Sequence, residues 1–388
     1  MRIVQTVFGV FHHFELARQL LQRGHLQKIY STWPRIRVNR EGLPPEMVET
    51  FPWIHGPEML MQRFGFHNVW LEDQTGYANA LAFDRWTSKG LRKGPPADAL
   101  VGLSGSSLKA GRELQALGGR FVCDRGSSHQ RYQERIVADE YRRWGVDRRV
   151  ADIRDTLREE KIYAIADAIT VPSSFAARSF VEEGVPAEKL RVIPYGVRLE
   201  QFVRTGEPPK DRFEVLFAGS VSLRKGVPYL LEAFASLKHP AKKLRIAGSM
   251  HPDMQTVLQR LPQEHVEILG SVSQQKLAEL MSTSHVMVLP SIEEGLALVQ
   301  GQALACGCPV LASTNTGGED LFTHDVEGFI VPVRDVRALT DRMQQLADDP
   351  ALQQRMSEAA LLRVKKIGGW EEYGDRWESF LRELTGKI

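Results

Sequence analysis

Two stretches of this sequence place charged side chains beside a glycine just after an expected buried strand. The first is Gly219–Gly226, which precedes a helix that begins near Pro228. Its cations Arg224 and Lys225 could hold a diphosphate, because guanidinium and ammonium groups make charge-assisted hydrogen bonds to phosphate oxygens. Two solvated loop cations would give the same pattern, so residue types alone leave both interpretations open.

The second stretch is Pro290–Leu298, where Glu294 precedes a glycine and the start of a helix. We expect the free backbone N–H groups of Leu296, Ala297 and Leu298 to point into a cleft, where the helix dipole favours an anion. An ionised glutamate only accepts hydrogen bonds, which suits the hydroxyl groups of a sugar. An acidic residue that merely caps the helix is the alternative interpretation.

The elements that would hold these loops alternate between short β-branched runs and amphipathic helices. The chain has 388 residues, which at roughly 100–200 residues per domain predicts two domains. A polar, turn-rich seam at Val203–Lys210 separates two such alternations, so we divide the chain into residues 1–195, a hinge at 196–210 and residues 211–369. Strands joined by helices form parallel sheets, whose ligands bind at the carboxyl ends of the strands. The predicted fold is therefore α/β, with two doubly wound domains facing each other across a cleft.

The composition excludes several classes of protein. Hydrophobic residues make up 43% and charged residues 25%, which is typical of a globular chain and not of a disordered one. The net charge of +2 argues against a strongly basic surface, so we expect no nucleic-acid partner. Cys123, Cys306 and Cys308 are too few and too irregularly spaced for a disulfide framework or a zinc site. No apolar run reaches the roughly 18 residues of a membrane span, and the N-terminus does not resemble a cleavable signal, so we expect a cytoplasmic protein.

Two regions of the first half differ from this alternation. Residues 33–65 contain several prolines and predict a loop-rich insertion, followed by helices from about Glu58 to Ser88. The stretch from about Gln130 to Ala168 interleaves acidic and basic residues, which predicts helix with a solvated, charge-paired surface.

Motifs spread over about residues 168–350 resemble the retaining glycosyltransferases of family 4, which have the GT-B fold of two Rossmann-like domains. The first half resembles that family in layout only. The matching stretches are, in order, Ile193–Val197 with Phe202, Leu216–Gly219 with Arg224–Gly226, Ile268–Gly270, Val288–Ser291 with Glu294–Gly295, Ala303–Val310, and Gly317–Gly318 with Glu327–Phe329.

This resemblance implies a retaining, metal-independent glycosyltransferase. It would move a sugar from a nucleoside-diphosphate sugar to a glycan or lipid-linked acceptor, in the synthesis of cell-surface polysaccharide or lipopolysaccharide. The donor would bind residues 211–369 and the acceptor residues 1–195, onto which a C-terminal helix at about 370–388 would pack back. The donor is a substrate, so no cofactor is expected. No metal is expected either, because the sequence has no Asp-x-Asp motif and no histidine–carboxylate set at ligand spacing.

The same resemblance implies roles for individual positions. Lys225 and Arg224 would neutralise the leaving diphosphate, and Glu294 would orient the donor sugar. His129 would face that sugar, with Asp124 and Arg125 as competitors for this role. The implied catalytic residues are Glu294, His129 and Lys225. The implied donor-binding residues are Gly9, Gly219, Ser220, Arg224, Lys225, Gly270, Val272, Glu294, Gly295, Leu296, Ala297, Leu298 and Gln302.

Three features depart from the family pattern. Gln302 stands where a second glutamate usually holds the ribose, and Ser220 stands where arginine is common, a role that Arg224 could take over. In the first loop, Phe11–His13 follow Gly9 in place of a pair of small residues, which suggests an unusual acceptor.

Two other functions fit the same fold. The departures at Ser220 and Gln302 would suit a catalytically degenerate protein that acts as a binding partner, and a nucleotide-sugar epimerase would need acid–base residues around the sugar. Peripheral contact with the cytoplasmic face of a membrane is a further hypothesis, because one segment mixes aromatic and basic residues as interfacial anchors do, although its aromatics could instead pack inward. That segment contains Trp33, Arg35, Arg37, Arg40, Trp53 and Met59–Arg63.

Overall fold

The computed structural model describes residues 1–9, 12–53, 57, 69–147, 152–197 and 200–387. Strands in these ranges form two sheets, in which every neighbouring pair is parallel. The first sheet contains β1 (Ile3–Val7), β2 (Leu26–Ser31), β3 (Val48–Thr50), β4 (Ala99–Leu103), β5 (Arg120–Asp124), β6 (Ala168–Val171) and β7 (Leu190–Val192). The second contains β8 (Phe213–Ala218), β9 (Lys242–Ala247), β10 (Val266–Gly270), β11 (Val286–Leu289), β12 (Val310–Ser313) and β13 (Gly328–Val331).

Helices connect these strands and cover the sheets. Those of the first half are α1 (His12–Gln22), α2 (Arg35–Val38), α3 (Val69–Lys93), α4 (Leu108–Ala116), α5 (Gln130–Trp144), α6 (Ile153–Ile165) and α7 (Ser174–Glu182). Those of the second half are α8 (Val227–Ser236), α9 (Met254–Leu258), α10 (Gln274–Ser282), α11 (Leu298–Ala305), α12 (Val336–Asp348), α13 (Pro350–Ile367) and α14 (Trp370–Thr385).

The strand orders make both sheets doubly wound, which confirms the predicted fold class. The first sheet runs β3-β2-β1-β4-β5-β6-β7 and the second runs β10-β9-β8-β11-β12-β13. Central strands such as β8 and β11 are buried along their whole length, because helices cover both faces of a parallel sheet. The order reverses between β1 and β4 and between β8 and β11, so the loops that follow these strands flank the crevices where such sheets bind ligands.

The chain crosses between the two halves at two places that touch each other. A Cβ atom at Gly196 would overlap the backbone of Gly369. The two crossing segments therefore contact each other through glycines, which have no side chain to keep them apart. After the second crossing, α14 packs along α1 and buries Tyr373 and Trp377. Arg23 pairs there with Asp375 and Glu378 across the two helices.

Three local expectations have different outcomes in the structure. The region predicted as a loop-rich insertion contains β3, which pairs with β2 and forms the edge of the first sheet. A three-residue strand shows no usable periodicity in the sequence, and a remote partner decides that it forms. The charged stretch after residue 130 is two helices, α5 and α6. The helix expected from about Glu58 is described only from Val69, where it continues to Lys93; residues 58–68 lie outside the described ranges.

Within those ranges, none of the helices combines the length and apolar character needed to cross a membrane.

Candidate functional site

The two charged loops predicted from the sequence lie side by side at the switch point of the second sheet. Gly219–Gly226 joins β8 to α8, and Pro290–Ala297 joins β11 to α11. Gly226 precedes α8 in a left-handed conformation (φ 68°), and a Cβ atom there would overlap the carbonyl oxygen of Pro290. Glycine at this position therefore lets the two loops touch.

Lys225 and Glu294 form an ion pair between these loops. The Nζ atom of Lys225 donates to Oε1 of Glu294, and the hydroxyl of Ser291 lies 3.2 Å from the same oxygen. Burial lowers the pKa of Lys225 from its usual value to about 8. The side chain of Lys225 keeps 21% of its surface exposed, so an anion entering the cleft can reach it.

Arg224 takes a different partner, the neighbouring carboxylate of Glu293. Its guanidinium donates to Oε2 of Glu293 at 2.9 and 2.8 Å. Arg224 was expected to bind the diphosphate in place of the arginine that is common at position 220. In this structure its guanidinium is paired with Glu293. Ser220 itself is partly buried in the same loop.

Glu293 is fully buried and connects the two halves of the molecule. Its Oε1 atom accepts hydrogen bonds from the hydroxyls of Ser127 (2.7 Å) and Ser128 (2.6 Å), and Oε2 accepts from Gln133 (2.9 Å). Burial alone would raise the pKa of Glu293, but the charge of Arg224 and the two serine hydrogen bonds lower it to about 2. In the sequence, only its position beside Glu294 distinguishes this residue.

Backbone contacts bring the loop after β5 against the loop after β11. A Cβ atom at Gly295 would overlap the carbonyl oxygen of Gly126, and the hydroxyl of Ser173 donates to the carbonyl oxygen of Gly295 at 2.5 Å. On a third connection, Ser174 donates to Asp320 through its hydroxyl (2.7 Å). The first half therefore covers the site that the second half builds.

The start of helix α11 differs from the expectation. The N–H group of Ala297 is not free, because it donates to the carbonyl oxygen of Thr316 at 3.2 Å. Leu296 is buried beside it, and Leu298 is the first residue of the helix. Gln302 lies one turn after Leu298 and is partly buried.

Three glycines converge at the carboxyl ends of β8, β9 and β10. The N–H group of Gly248 donates to the carbonyl oxygen of Gly270 at 2.8 Å, and a Cβ atom at Gly248 would overlap the carbonyl oxygen of Gly219. Val272 follows this edge and is partly buried. No motif in the sequence pointed to Gly248 as part of this site, although it follows a strand directly, as Gly219 does.

The structure gives His129 a role in packing and capping. Its Nδ1 atom accepts from the backbone N–H of Arg131 at 3.2 Å at the start of α5, and its ring packs on Tyr163 and Phe180 at centroid distances of 5.0 and 4.9 Å. Burial lowers the pKa of His129 to about 4. Among the described residues no contact joins His129 to Lys225 or Glu294, and its place facing the sugar stays a prediction.

Arg125 is also engaged within the first half. It is buried and donates to Glu159 at 3.0 Å and to the carbonyl oxygen of Ser128 at 3.0 Å. These bonds shape the loop after β5, and a role of Arg125 beside the sugar stays a prediction.

Asp124 instead meets two histidines in the first turn of α1. Its Oδ2 atom lies 2.8 Å from Nε2 of His12 and 3.3 Å from Nε2 of His13. Burial alone would raise the pKa of Asp124, but the charge and hydrogen bond of His12 lower it. Gly9, at the end of β1, is held by a hydrogen bond from its N–H to Thr32 at 3.1 Å. This cluster forms across 112 sequence positions, so ligand spacing in the sequence could not reveal it.

His12 borders the covered part of the cleft. A Cβ atom at Gly126 would meet the hydroxyl of Tyr195 at 2.9 Å and Cε1 of His12 at 3.3 Å. The same glycine touches Gly295, which follows Glu294. Gly126 therefore lies between His12 and the loop that carries Glu294.

Two family models match the chain and together extend over most of it. One, described as "Glycosyltransferase Family 4", matches residues 10–201, and the other, described as "Glycosyl transferases group 1", matches residues 200–363.

Relatives and solved structures agree with these matches. The chain is 28% identical over 236 residues to the D-inositol 3-phosphate glycosyltransferase of Xylanimonas cellulosilytica, which covers 55% of this chain and 56% of that protein. The chain thus spans about half the length of the curated relatives it matches. The sucrose-phosphate synthase of Thermosynechococcus elongatus superposes with a TM-score of 0.72 at 19% identity over the full length of both chains. HepE of Anabaena, solved in complex with UDP, superposes with a TM-score of 0.69 at 15% identity over 99% of this chain and 100% of its own. At these identities the structures show a common fold.

Proposed function

Because this chain belongs to glycosyltransferase family 4 and has the GT-B fold, we propose that it transfers a sugar from a nucleoside-diphosphate sugar to a glycan or lipid-linked acceptor. The observation that carries this proposal is the ion pair between Lys225 and Glu294 at the switch point of the second sheet. It supports the proposal because an ammonium group suited to a diphosphate and a carboxylate suited to sugar hydroxyls are in direct contact. The solved complex of a protein with the same fold and UDP supports a nucleotide donor.

The ion pair suggests how donor binding prepares the reaction. A diphosphate that binds Lys225 competes with Glu294 for the same ammonium group, and the released carboxylate can then accept hydrogen bonds from sugar hydroxyls. As the bond between the sugar and the diphosphate breaks, negative charge grows on the leaving group. A positioned ammonium group in a half-buried site stabilises that charge, which is usually the largest contribution to catalysis.

The contacts between the halves suit a closed, water-poor site. Glu293 holds Ser127 and Ser128 of the opposite half, and helix α5 adds a second bridge, in which Glu140 accepts from Arg334 at 2.6 Å. A donor or acceptor enters after some of these contacts open, and closure then excludes water from the sugar. We propose transfer with retention at the anomeric carbon and without a metal at the diphosphate.

We also propose an acceptor at a membrane surface, on the cytoplasmic side. Trp53 is 74% exposed and Ile36 is 78% exposed, and Arg37 stacks on the Trp33 ring at 4.7 Å. Exposed tryptophan and isoleucine with neighbouring arginines suit the boundary of an anionic bilayer. Met59–Arg63, the other part of this expected anchor, lie outside the described residues. The protein should co-sediment with vesicles that contain anionic lipid, and Trp53→Ser should reduce the co-sedimented fraction. Equal binding of wild type and Trp53→Ser would contradict a membrane contact at this surface.

The donor site is tested by calorimetric titration with UDP, GDP and ADP. We expect one of them to bind, and Lys225→Ala to weaken that binding at least tenfold. A matched control is Lys276→Ala, which breaks an exposed pair with Glu279 (3.1 Å) on α10 and should leave binding unchanged. Anomeric NMR signals of the product from the matching donor sugar should show retention.

Two outcomes would favour other functions. A protein that binds none of the nucleotides would be a degenerate partner protein. A protein that converts the nucleotide-sugar to an isomer without any acceptor would be an epimerase.

A further inference from the structure

The side chains of His12, His13 and Asp124 form a compact set of ligand atoms at the base of the cleft. One nitrogen from each histidine and one carboxylate oxygen all lie within 4.8 Å of one another. Both Nε2 atoms approach the same oxygen, Oδ2 of Asp124, at 2.8 and 3.3 Å. Four-coordinate zinc with bonds of about 2.0–2.2 Å spaces its ligand atoms roughly 3.3 Å apart, so small side-chain rotations would surround one ion.

His13 supplies an independent reason to expect a ligand. Its side chain is fully buried, and neither Nδ1 nor Nε2 has a hydrogen-bond partner among the described residues. Buried polar groups are normally hydrogen-bonded, so a buried imidazole that approaches a carboxylate to 3.3 Å without a hydrogen bond requires an explanation. A metal ion between His13 and Asp124 would be bound by Nε2 of His13.

The surroundings of the cluster hold its members in place. The hydroxyl of Thr170 donates to Oδ1 of Asp124 at 2.8 Å, which leaves Oδ2 for the centre of the cluster. The His12 ring packs on Tyr195 at a centroid distance of 4.4 Å. Partners outside the ligand set that fix the ligand orientation are a regular feature of protein metal sites.

We propose that His12, His13 and Asp124 bind a divalent transition-metal ion of the zinc type. Two imidazoles and one carboxylate suit zinc, cobalt or nickel better than magnesium or calcium, which prefer oxygen ligands alone. Three protein ligands leave a fourth position for water or a substrate oxygen, as in catalytic zinc sites. His12 is 13% exposed and borders Gly126, so the cluster lies beside the covered part of the cleft. The proposal revises the expectation of a metal-free chain and does not depend on the transfer reaction.

Cobalt titration of the chelator-stripped full chain tests the site without donor or acceptor. We expect one Co²⁺ per chain with visible absorption bands of a four- or five-coordinate ion. His13→Gln and Asp124→Asn should weaken binding at least tenfold. His25→Gln is the matched control, because His25 also lies 2.9 Å from a carboxylate, Glu378, but belongs to no three-ligand cluster among the described residues.

A second measurement needs no variant and covers the case in which a substitution prevents folding. X-ray absorption of the zinc-loaded wild-type chain should show imidazole and oxygen ligands without sulfur. Absence of stoichiometric binding would overturn the proposal and leave His12 and Asp124 as a metal-free hydrogen-bonded pair. Binding that survives both cluster substitutions, or zinc ligated by sulfur, would overturn it equally. Neither experiment uses a nucleotide-sugar, so a negative result would leave the transferase proposal standing. Failure of the transferase proposal would likewise leave the metal-site proposal standing.

Discussion

The two sheets assemble their cleft residues in opposite ways. At the second sheet, the charged residues come from two loops and pair in sequence order, Arg224 with Glu293 and Lys225 with Glu294. At the first sheet, His12 at the start of α1 and Asp124 at the end of β5 meet across 112 positions. A loop whose charges are neighbours in sequence can be recognised from the sequence, whereas a cluster assembled by topology cannot.

A second contrast lies within the second sheet itself. Glu293 and Glu294 are adjacent, yet the first is fully buried and bonded to the opposite half, while the second pairs with a partly exposed lysine. A buried carboxylate is stable only with several donors, so Glu293 suits holding the halves together. A pair within reach of solvent can exchange one partner for a ligand, so Glu294 suits binding.

The largest expected effect is that of Lys225→Ala on transfer. Loss of a cation aimed at the leaving diphosphate should lower kcat by about 10³-fold, which corresponds to about 4 kcal/mol of transition-state stabilisation. Steady-state kinetics with the cognate donor measures this, and Lys276→Ala should remain at the wild-type rate. Equal activity of the two variants would remove Lys225 from the mechanism.

Glu293→Gln should chiefly destabilise the protein, in contrast to substitutions at Glu294. The pKa of Glu293 is depressed to about 2, so its ionisation contributes stability above the ordinary carboxyl pKa. At one pKa unit per 1.36 kcal/mol the loss at pH 7 is about 3 kcal/mol. That difference from wild type should shrink as the pH falls from about 4.5 towards 2.

Urea unfolding at several pH values measures this difference. Glu267→Gln is the control, because its pair with Lys243 is exposed and its loss should cost no more than about 0.5 kcal/mol. A difference between wild type and Glu293→Gln that does not change between pH 7 and pH 3 would contradict the assignment.

Gly295→Ala should weaken transfer by opening the cleft. The added methyl group would overlap the carbonyl oxygen of Gly126, so the loop after β5 must move away. A displacement of about 1 Å can cost roughly 10²-fold in rate, so we expect a 10- to 100-fold lower kcat/KM. Gly76→Ala in α3 is the matched control, because its methyl group would meet no atom within 4 Å. Wild-type kinetics for Gly295→Ala would show that the observed contact is dispensable.

The smallest expected effect distinguishes a structural from a sugar-facing His129. His129→Ala removes a helix cap and ring packing and should cost about 1–2 kcal/mol of stability. Its kcat should stay within about twofold of wild type when measured on folded protein, since the energy removed is that of a cap. A hundredfold loss of kcat with unchanged stability would restore its predicted role beside the donor.

The fold class predicted from the sequence is confirmed, whereas the predicted roles of the site residues stay predictions. Alternating strands and helices predicted the two doubly wound sheets, and charged residues beside a glycine located both loops of the second sheet, cations in the first and glutamates in the second. The same signals did not reveal β3, which is only three residues long, or the pairing of Arg224 with Glu293. They also missed Gly248, whose contact lies on an adjacent strand.

What the sequence determined by itself is therefore local: periodicity, turns and the order of elements, from which a parallel sheet and its carboxyl edge follow. The tertiary structure decided which of two adjacent glutamates is buried, which histidines reach Asp124, and how closely Gly126 approaches Gly295. The reason is physical. Secondary structure depends on neighbours within a few residues, whereas the partner of a buried charge depends on distances that exist only after both sheets have packed.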